Sequence, residues 1–351
     1  IELGGEADSI HDTERLRDEL LKVAFGVWDH IKNQADHGAA NWALDWVGFL
    51  PGKRESRRYV GDHIMTQNDV RAGGRFPDVI AYGGWSMDDH HPAGILHPGA
   101  PTIFHPAPSP YGIPYRCLYA RNLENLFCAG RNISVTHAAL SSTRVMGTCS
   151  LLGQAVGTAA ALAVRHGLNP REVGQTRLAE LQQQLMDDDA YLPGLRRHVP
   201  DLSRTASLTA SHGDPEPLRN GIDRPVGDDD NGWACPPGGR AEYTFETSRA
   251  LRQARLVFDS DLSRTAKGTR ADYPLAQPRL APPPTLVKAF RIEAADGAGG
   301  WRTVVRVADN HQRLVRVPLG LEATALRLVP ESTWGAPSCH ILAWDVEPDP
   351  A

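Results

Sequence analysis

The sequence predicts an α/β part followed by an all-β sandwich, and three observations predict it. The stretch Asn125–Ala163, NLFCAGRNISVTHAALSSTRVMGTCSLLGQAVGTAAALA, reads as an apolar strand, a polar loop and a helix lined with Gly153, Ala155, Gly157, Ala159, Ala160 and Ala161. From about Leu202 the pattern changes to short alternating segments separated by Pro- and Gly-rich turns, the two-residue period of antiparallel strands. At 351 residues the chain is long enough for two cores, which the change of pattern places at 1–200 and 201–351.

The elements follow in order. Ile1-Glu2-Leu3 reads as a strand, and Asp12–Asn33 as an amphipathic helix capped by Asp12, with Leu16, Leu20, Val23, Val27 and Ile31 at helical spacing. A second helix is expected over Asn41–Phe49, with Trp42 and Trp46 four apart and in the core. The basic turn Gly52–Arg58 leads into an expected strand Tyr59–Met65, and Thr66 caps a short helix Gln67–Ala72. Asp78–Tyr82 is strand-like, Pro92–Pro114 a long irregular loop, and Ile113–Tyr119 extended. Pro170 opens a further helix through Leu178, Leu181 and Leu185, and Asp187-Asp188-Asp189 reads as its solvated end.

The strand–loop–helix stretch has a chemical reading and a packing one. A helix N-terminus offers unpaired N–H groups and partial positive charge, and small residues admit a ligand closely; the same residues also permit tight helix packing. The stretch resembles the C-terminal flavin motif of FAD-dependent oxidoreductases of the glutathione-reductase type. Within them it is similar to the branch related to the heterodisulfide reductase A subunit. Three motifs carry the resemblance: IPYRCLYARNLENLFCAGRNISVTHAALSSTRVMGTCSLLGQAVGTAAA over Ile113–Ala161, GFLPGKRESRRYVGDHIMTQNDV over Gly48–Val70, and DVIAYGGWSMDDHHP over Asp78–Pro92. The resemblance covers about residues 1 to 195.

The resemblance implies an incomplete FAD/NAD(P)-binding-type domain with FAD as cofactor. It implies Gly130, Arg131 and Asn132 beside the ribityl chain, and Arg144, Val145, Met146, Gly147 and Thr148 at the helix start facing the flavin. Arg131 stands where relatives carry Asp, so the usual ribityl contact is in doubt. Arg144 would bring positive charge to the flavin, which stabilises its reduced anion. His137, one residue past the turn, is the first catalytic candidate. His90 and His91 follow as acid–base groups of a substrate-side loop, since imidazole titrates near neutral pH. Tyr115 and Arg116 are candidates at the flavin edge, against the alternative of a packed tyrosine and a paired arginine. Arg54, Arg58 and Trp85 are candidates for the substrate; for the two arginines a solvated charge run is the other reading.

No GxGxxG lies between a strand and a helix, and residue 1 is Ile. The chain is therefore expected to be the C-terminal part of a longer enzyme that needs an N-terminal FAD-binding half. No signal peptide is read. Adjacent His90 and His91 point apart on most backbones, and five dispersed cysteines form no CxxC, so neither a metal nor a disulfide framework is expected. A net charge of −5 argues against nucleic acid. No apolar run reaches the roughly 18 residues of a spanning helix, so no membrane partner is expected. A homo-oligomer stays open.

In the second part, strands are expected at Ala206–Ala210, Ala241–Phe245, Ala254–Phe258, Leu286–Glu293, Trp301–Val307, Gln312–Val317, Ala325–Val329 and Ile341–Val346. The order LTAS, NGIDRP, NGW, LVKAFRIEA and LAWDVEP resembles the galactose-binding-like, discoidin-type jelly roll. That resemblance implies a glycan or calcium site at Asn220–Asp230, or a plain scaffold. Together the two resemblances imply a flavin-dependent hydride transfer on a small-molecule, carbohydrate-derived substrate. The alternative is a glycan-binding protein with a non-catalytic flavoprotein remnant.

Overall fold

The computed structural model describes residues 2–34, 36–53, 55–262 and 281–349. Arg54, one of the substrate candidates, and Ile1 lie outside the described residues. The chain divides into two compact units, Ile1–Leu185 with Ala190–Gly194, and Met186–Asp189 with Leu195–Ala351.

In the first unit, α1 (Thr13–Asp29) runs into a π turn, His30–Gln34. Asp12 stands at its N-cap without a side-chain capping bond, and only Leu16 of its apolar stripe is buried. Glu2 and Leu3 are irregular rather than a strand. The expected helix over Asn41–Phe49 does not form, and Trp42 and Trp46 are 69% and 78% exposed rather than core. A local competitor is present: the Lys32 ammonium donates to the carbonyls of Ala39, Ala40 and Trp42, and the last two are acceptors that a helix there would use.

The helix α2 (Gln67–Arg71) starts on a complete capping box, the Thr66 hydroxyl accepting from Asp69 N–H and the Asp69 carboxylate from Thr66 N–H. Two antiparallel pairs follow, β1 (Val79–Gly83) with β4 (Tyr111–Pro114), and β2 (Met87–His90) with β3 (Thr102–His105). The long loop expected over Pro92–Pro114 thus contains two strands and a 3-10 turn, Gly94–Leu96. Gly74, at φ +57°, lies so close to Gly112 that a Cβ would fall 2.0 Å from the Gly112 carbonyl oxygen. Only glycine fits there.

Tyr59–Met65 is extended but not a ladder strand: Tyr59 N–H donates to Asn132 O, and Met65 N–H to Ser134 O. Ile113–Tyr119 is extended only to Pro114 and then turns through a 3-10 helix, Tyr115–Cys117. The apolar run Leu126–Ala129 keeps a single bridge, Tyr119 to Phe127. Where one helix was expected, two occur: α3 (His137–Thr143), capped by Thr136, and α4 (Met146–His166). Then α5 (Pro170–Thr176) and α6 (Leu178–Asp187) divide at Arg177.

The helix α4 buries Leu152, Ala155, Ala159 and Leu162 and packs on β1. A Cβ at Gly147, Gly153 or Gly157 would meet nothing within 4 Å, so no described neighbour uses these glycines for close packing. By length and composition α4 could cross a membrane, which corrects the expectation that no run is long enough; the core helix of a globular unit passes the same test.

The second unit opens with α7 (Asp201–Thr205), followed by β5 (Ser207–Ala210), β6 (Trp233–Cys235), β7 (Ala241–Phe258), β8 (Val287–Ala295), β9 (Trp301–Val307), β10 (Leu314–Thr333) and β11 (Cys339–Pro348). All pairings are antiparallel, in the order β6-β11-β7-β10-β8-β9, with β5 also on β7. The expected pairs Ala241–Phe245 with Ala254–Phe258, and Gln312–Val317 with Ala325–Val329, are each one long strand. Register shifts at Pro318/Leu321 and Ala323/Ala325 bend them, so one end of β7 pairs with β5 and the other with β11. The curled sheet closes on Trp233, Tyr243, Phe258, Phe290 and Trp344, and the Tyr243 hydroxyl donates to Trp344 O.

Beside this apolar core lies a buried ionic quartet. Arg197 reaches Asp223 at 3.0 Å and Asp345 at 2.8 Å, and Arg255 reaches Asp223 at 2.8 Å and Asp345 at 3.4 Å. Arg255 also donates to the carbonyls of Met186 and Asp187. Burial pushes the Asp223 carboxyl up, and the charges of Arg197 and Arg255 more than reverse it, leaving it below its ordinary range. The acidic triplet is not a solvated helix end: Asp188 pairs with Arg316, and Asp189 with Arg224 and Arg313.

His340 is held between Asp259 at 3.1 Å and Asp230 at 3.0 Å. Burial lowers its pKa, but the hydrogen bonds and charges of these two carboxylates raise it on balance above 6.5. Burial likewise raises Asp259, and the His340 hydrogen bond more than reverses that, taking it below 3.8. A raised histidine stabilises fully below its unfolded value and loses that contribution as pH climbs through the folded one; a lowered carboxylate does so above its unfolded value and loses it on acidification. The clamp is therefore strongest between about pH 4 and 6.5. Thermal melts of the protein should fall in midpoint from pH 6 to 9, and His340→Gln should flatten that slope. An unchanged slope in the variant would refute the assignment.

Candidate active site

A cleft of about 660 Å³ opens in the first unit, walled by the irregular N-terminal segment, α1, the Pro51–Ser56 turn, β2 and the start of α3. His137 stands at the first position of α3, held there because Thr136 caps the helix through Ala139 N–H. Its Nδ1 lies 2.6 Å from Glu55 Oε2, and its Nε2 lies 3.6 Å from Asp89 Oδ1. A carboxylate only accepts, so the short bond has Nδ1 donating to Glu55, and Nε2 is the ring nitrogen on the Asp89 side. Glu55 also pairs with Arg58, which fixes the carboxylate from its other side. Arg58 thus reaches the site through Glu55, although it does not line the cleft.

The second wall carries His90, whose Nδ1 lies 3.0 Å from Glu2 Oε2 and 3.3 Å from Thr102 Oγ1. His91 stacks on His97 with ring centroids 3.7 Å apart, and its Nδ1 accepts from Ala93 N–H. Both histidines line the cleft with His137 and Arg144. Arg144 donates to Asp88 O at 3.2 Å. Burial and the nearby Arg131 charge lower its pKa against the pull of Asp88. Trp85 is half exposed outside the cleft, donating its indole N–H to Asp88.

Tyr115 and Arg116 are not brought to this cleft. The Tyr115 ring is buried and its hydroxyl donates to Pro170 O at 2.6 Å, while burial pushes its pKa up. Arg116 forks onto Asp78 at 2.9 and 3.1 Å. Both therefore follow the packing alternative. Glu55 and Asp89 complete the His137 arrangement, and neither was a candidate from the sequence. The one available signal was an acid inside the otherwise basic Lys53–Arg58 turn.

The residues expected around a flavin form a basic corner next to the cleft. Gly130 has φ +94°, and a Cβ there would meet nothing within 4 Å among the described residues. Arg131 donates to Lys53 O, and its charge acts on both Arg144 and Cys149, which places the corner at the α3–α4 junction. Val145 leaves the start of α4 without a side-chain cap or a first-turn acid, Met146 and Gly147 are exposed, and Thr148 is buried. Asn132 is tied by its carbonyl to Tyr59 N–H. An open glycine corner, two guanidiniums and uncapped helix N–H groups suit an electron-rich, anionic ring edge, so the donor set fits a flavin.

None of the curated proteins compared with the chain matches it. Among solved structures, it is similar to the family 32 carbohydrate-binding module from Streptococcus pneumoniae EndoD, at 15% identity over 43% of this chain and 99% of that one, TM-score 0.33. It is similar also to the family 32 module from C. perfringens NanJ in complex with galactose, at 12% identity over 42% and 97%, TM-score 0.29. A third is chitosan-binding module 1 from the chitosanase/glucanase of Paenibacillus sp. IK-5, at 12% identity over 42% and 97%, TM-score 0.28. The profile of the FAD dependent oxidoreductase family matches residues 5–185, just over half of the chain and all of the cleft lining except Glu2, Leu3 and Gly4. The chain belongs to the FAD dependent oxidoreductase family.

Proposed function

We propose that the cleft receives a hydroxylated, carbohydrate-derived substrate beside FAD, and that the protein catalyses its oxidation by hydride transfer. The observation that carries this reading is His137, fixed through Nδ1 by Glu55 in the lining of the cleft. When bound, FAD supplies the two-electron acceptor. The chain's residues supply the rest. His137 Nε2 takes the proton from a substrate hydroxyl, and the imidazolium that forms is stabilised by Glu55 on one nitrogen and Asp89 near the other. His90, oriented by Glu2 and Thr102, donates to a neighbouring oxygen of the substrate. Gly130, Arg131, Asn132, Arg144 and the α4 start, Val145–Thr148, are the residues that would hold the flavin ring. Arg58 acts through Glu55, and Trp85 offers an exposed ring at the edge of β2 for an apolar sugar face.

The test is anaerobic titration of the protein, purified at its full encoded length and reconstituted with FAD, against a panel of sugars and sugar acids. Bleaching of the flavin absorbance by a member of the panel is expected. Absence of flavin uptake, together with glycan binding that needs residues 201–351, would replace this reading with that of a glycan-binding protein carrying a non-catalytic remnant.

A further inference from the structure

Cys235 and Cys339 are reduced in this structure and stand directly opposite one another in the β6–β11 ladder, followed by His340 opposite Ala234 and Ile341 opposite Trp233. Opposed residues of an antiparallel pair project to the same face, with Cα atoms about 4.5 or about 5.5 Å apart according to the pair type. Either spacing lies inside the roughly 4.4–6.8 Å range that a disulfide bridges. Both side chains belong to the same buried cluster, at 2% and 0% exposure. Gly239 leaves room for the first sulfur: a Cβ there would lie 2.9 Å from Cys235 Sγ. The Ser338 hydroxyl donates to Cys235 O and holds the end of the ladder in register.

We propose that Cys235 and Cys339 are a redox pair that closes into a cross-strand disulfide and staples β6 onto β11. The oxidant is a low-molecular-weight disulfide. One cysteine thiolate attacks a sulfur of that oxidant and releases one small thiolate. The other then attacks the mixed disulfide, forms the S–S bond and releases the second. The two protons lost by the cysteines end on the two small thiols, and the two electrons pass to the oxidant.

Buried cysteines are often plain apolar filler. What distinguishes this pair is direct opposition on an edge. The strand β6 is three residues long and has β11 as its ladder neighbour among the described residues, so fraying of the edge gives the oxidant access. Burial, with the neighbouring Cys339, pushes the Cys235 thiol to about 12, and burial pushes Cys339 to about 11, so in the closed ladder both stay protonated and exchange is slow. Once formed, the bond is sheltered by the same burial. The staple ties down two anchors of the acidic cleft in this unit. The loop carrying Asp228–Asp230 leads into β6, and His340, next to Cys339, bridges Asp230 and Asp259.

The experiment incubates the intact chain with glutathione disulfide in native buffer, quenches with acid, denatures, and counts alkylated thiols by mass. Three alkylated cysteines are expected out of five, with a Cys235–Cys339 linked peptide on digestion. The thermal midpoint should rise by about 5–10 °C and return on reduction with a phosphine. In Cys235→Ala the oxidised and reduced samples should melt together. Five alkylated thiols, a stable glutathione adduct, or a bond to Cys117, Cys128 or Cys149 would overturn the proposal. A linked pair with an unmoved midpoint would overturn its role as a staple.

Discussion

Replacing His137 by Gln is expected to lower turnover of the flavin-loaded protein by about 10²–10⁴-fold while leaving bound flavin unchanged. Glutamine keeps a donor toward Glu55, so the α3 start should hold, but it has no basic lone pair to take a proton at the position of Nε2. Glu55→Gln should lose less, because imidazole remains but its tautomer is no longer set by a carboxylate. The size of the loss in kcat at unchanged flavin content separates the two roles. A His137→Gln protein with turnover within about 10-fold of the parent would end the assignment of His137 as the base.

Arg255→Met should cost the second unit about 3–5 kcal/mol, the usual penalty for removing one member of a buried ionic set. Arg255 is 2% exposed and bonds Asp223, Asp345 and two backbone carbonyls. Its loss leaves Asp223 and Asp345 to share Arg197, and removes a donor from the Met186 carbonyl and from the Asp187 carbonyl, which Arg316 still serves. Adding Asp345→Leu to Arg255→Met should recover part of the loss, since one Arg197–Asp223 pair then remains balanced. Urea melts followed by tryptophan emission give both numbers. A single-variant cost below about 1 kcal/mol would show that the quartet is not the anchor described.

The sandwich was the most legible part. Trp301–Val307 matches the expected bounds to the residue, because an aromatic and four β-branched residues mark it as a strand even though none of its residues is fully buried. Where β7 bends, the polar residues Glu246–Arg249 and Ala250 are all exposed, so one bent strand reads as two. The first unit was less legible because tertiary partners decided it. The four-residue spacing of Trp42 and Trp46 is a sound helix signal, overruled by Lys32 capping the same carbonyls. His137 was readable from its place after a turn, but its partner Glu55 lies 82 residues away, a pairing no local pattern encodes. Tyr115 and Arg116 were read first for chemistry, with packing close behind, and no local pattern encodes their distant partners Pro170 and Asp78.

The strand order of the second unit has a consequence for synthesis on the ribosome. The strand β11, made after both of its neighbours, inserts between β6 and β7, which precede it by some hundred residues. Until Cys339–Pro348 has emerged, the nascent sheet carries two open edges with unpaired amides, so this sheet must wait, tacky and half-zipped, for the ten residues of β11.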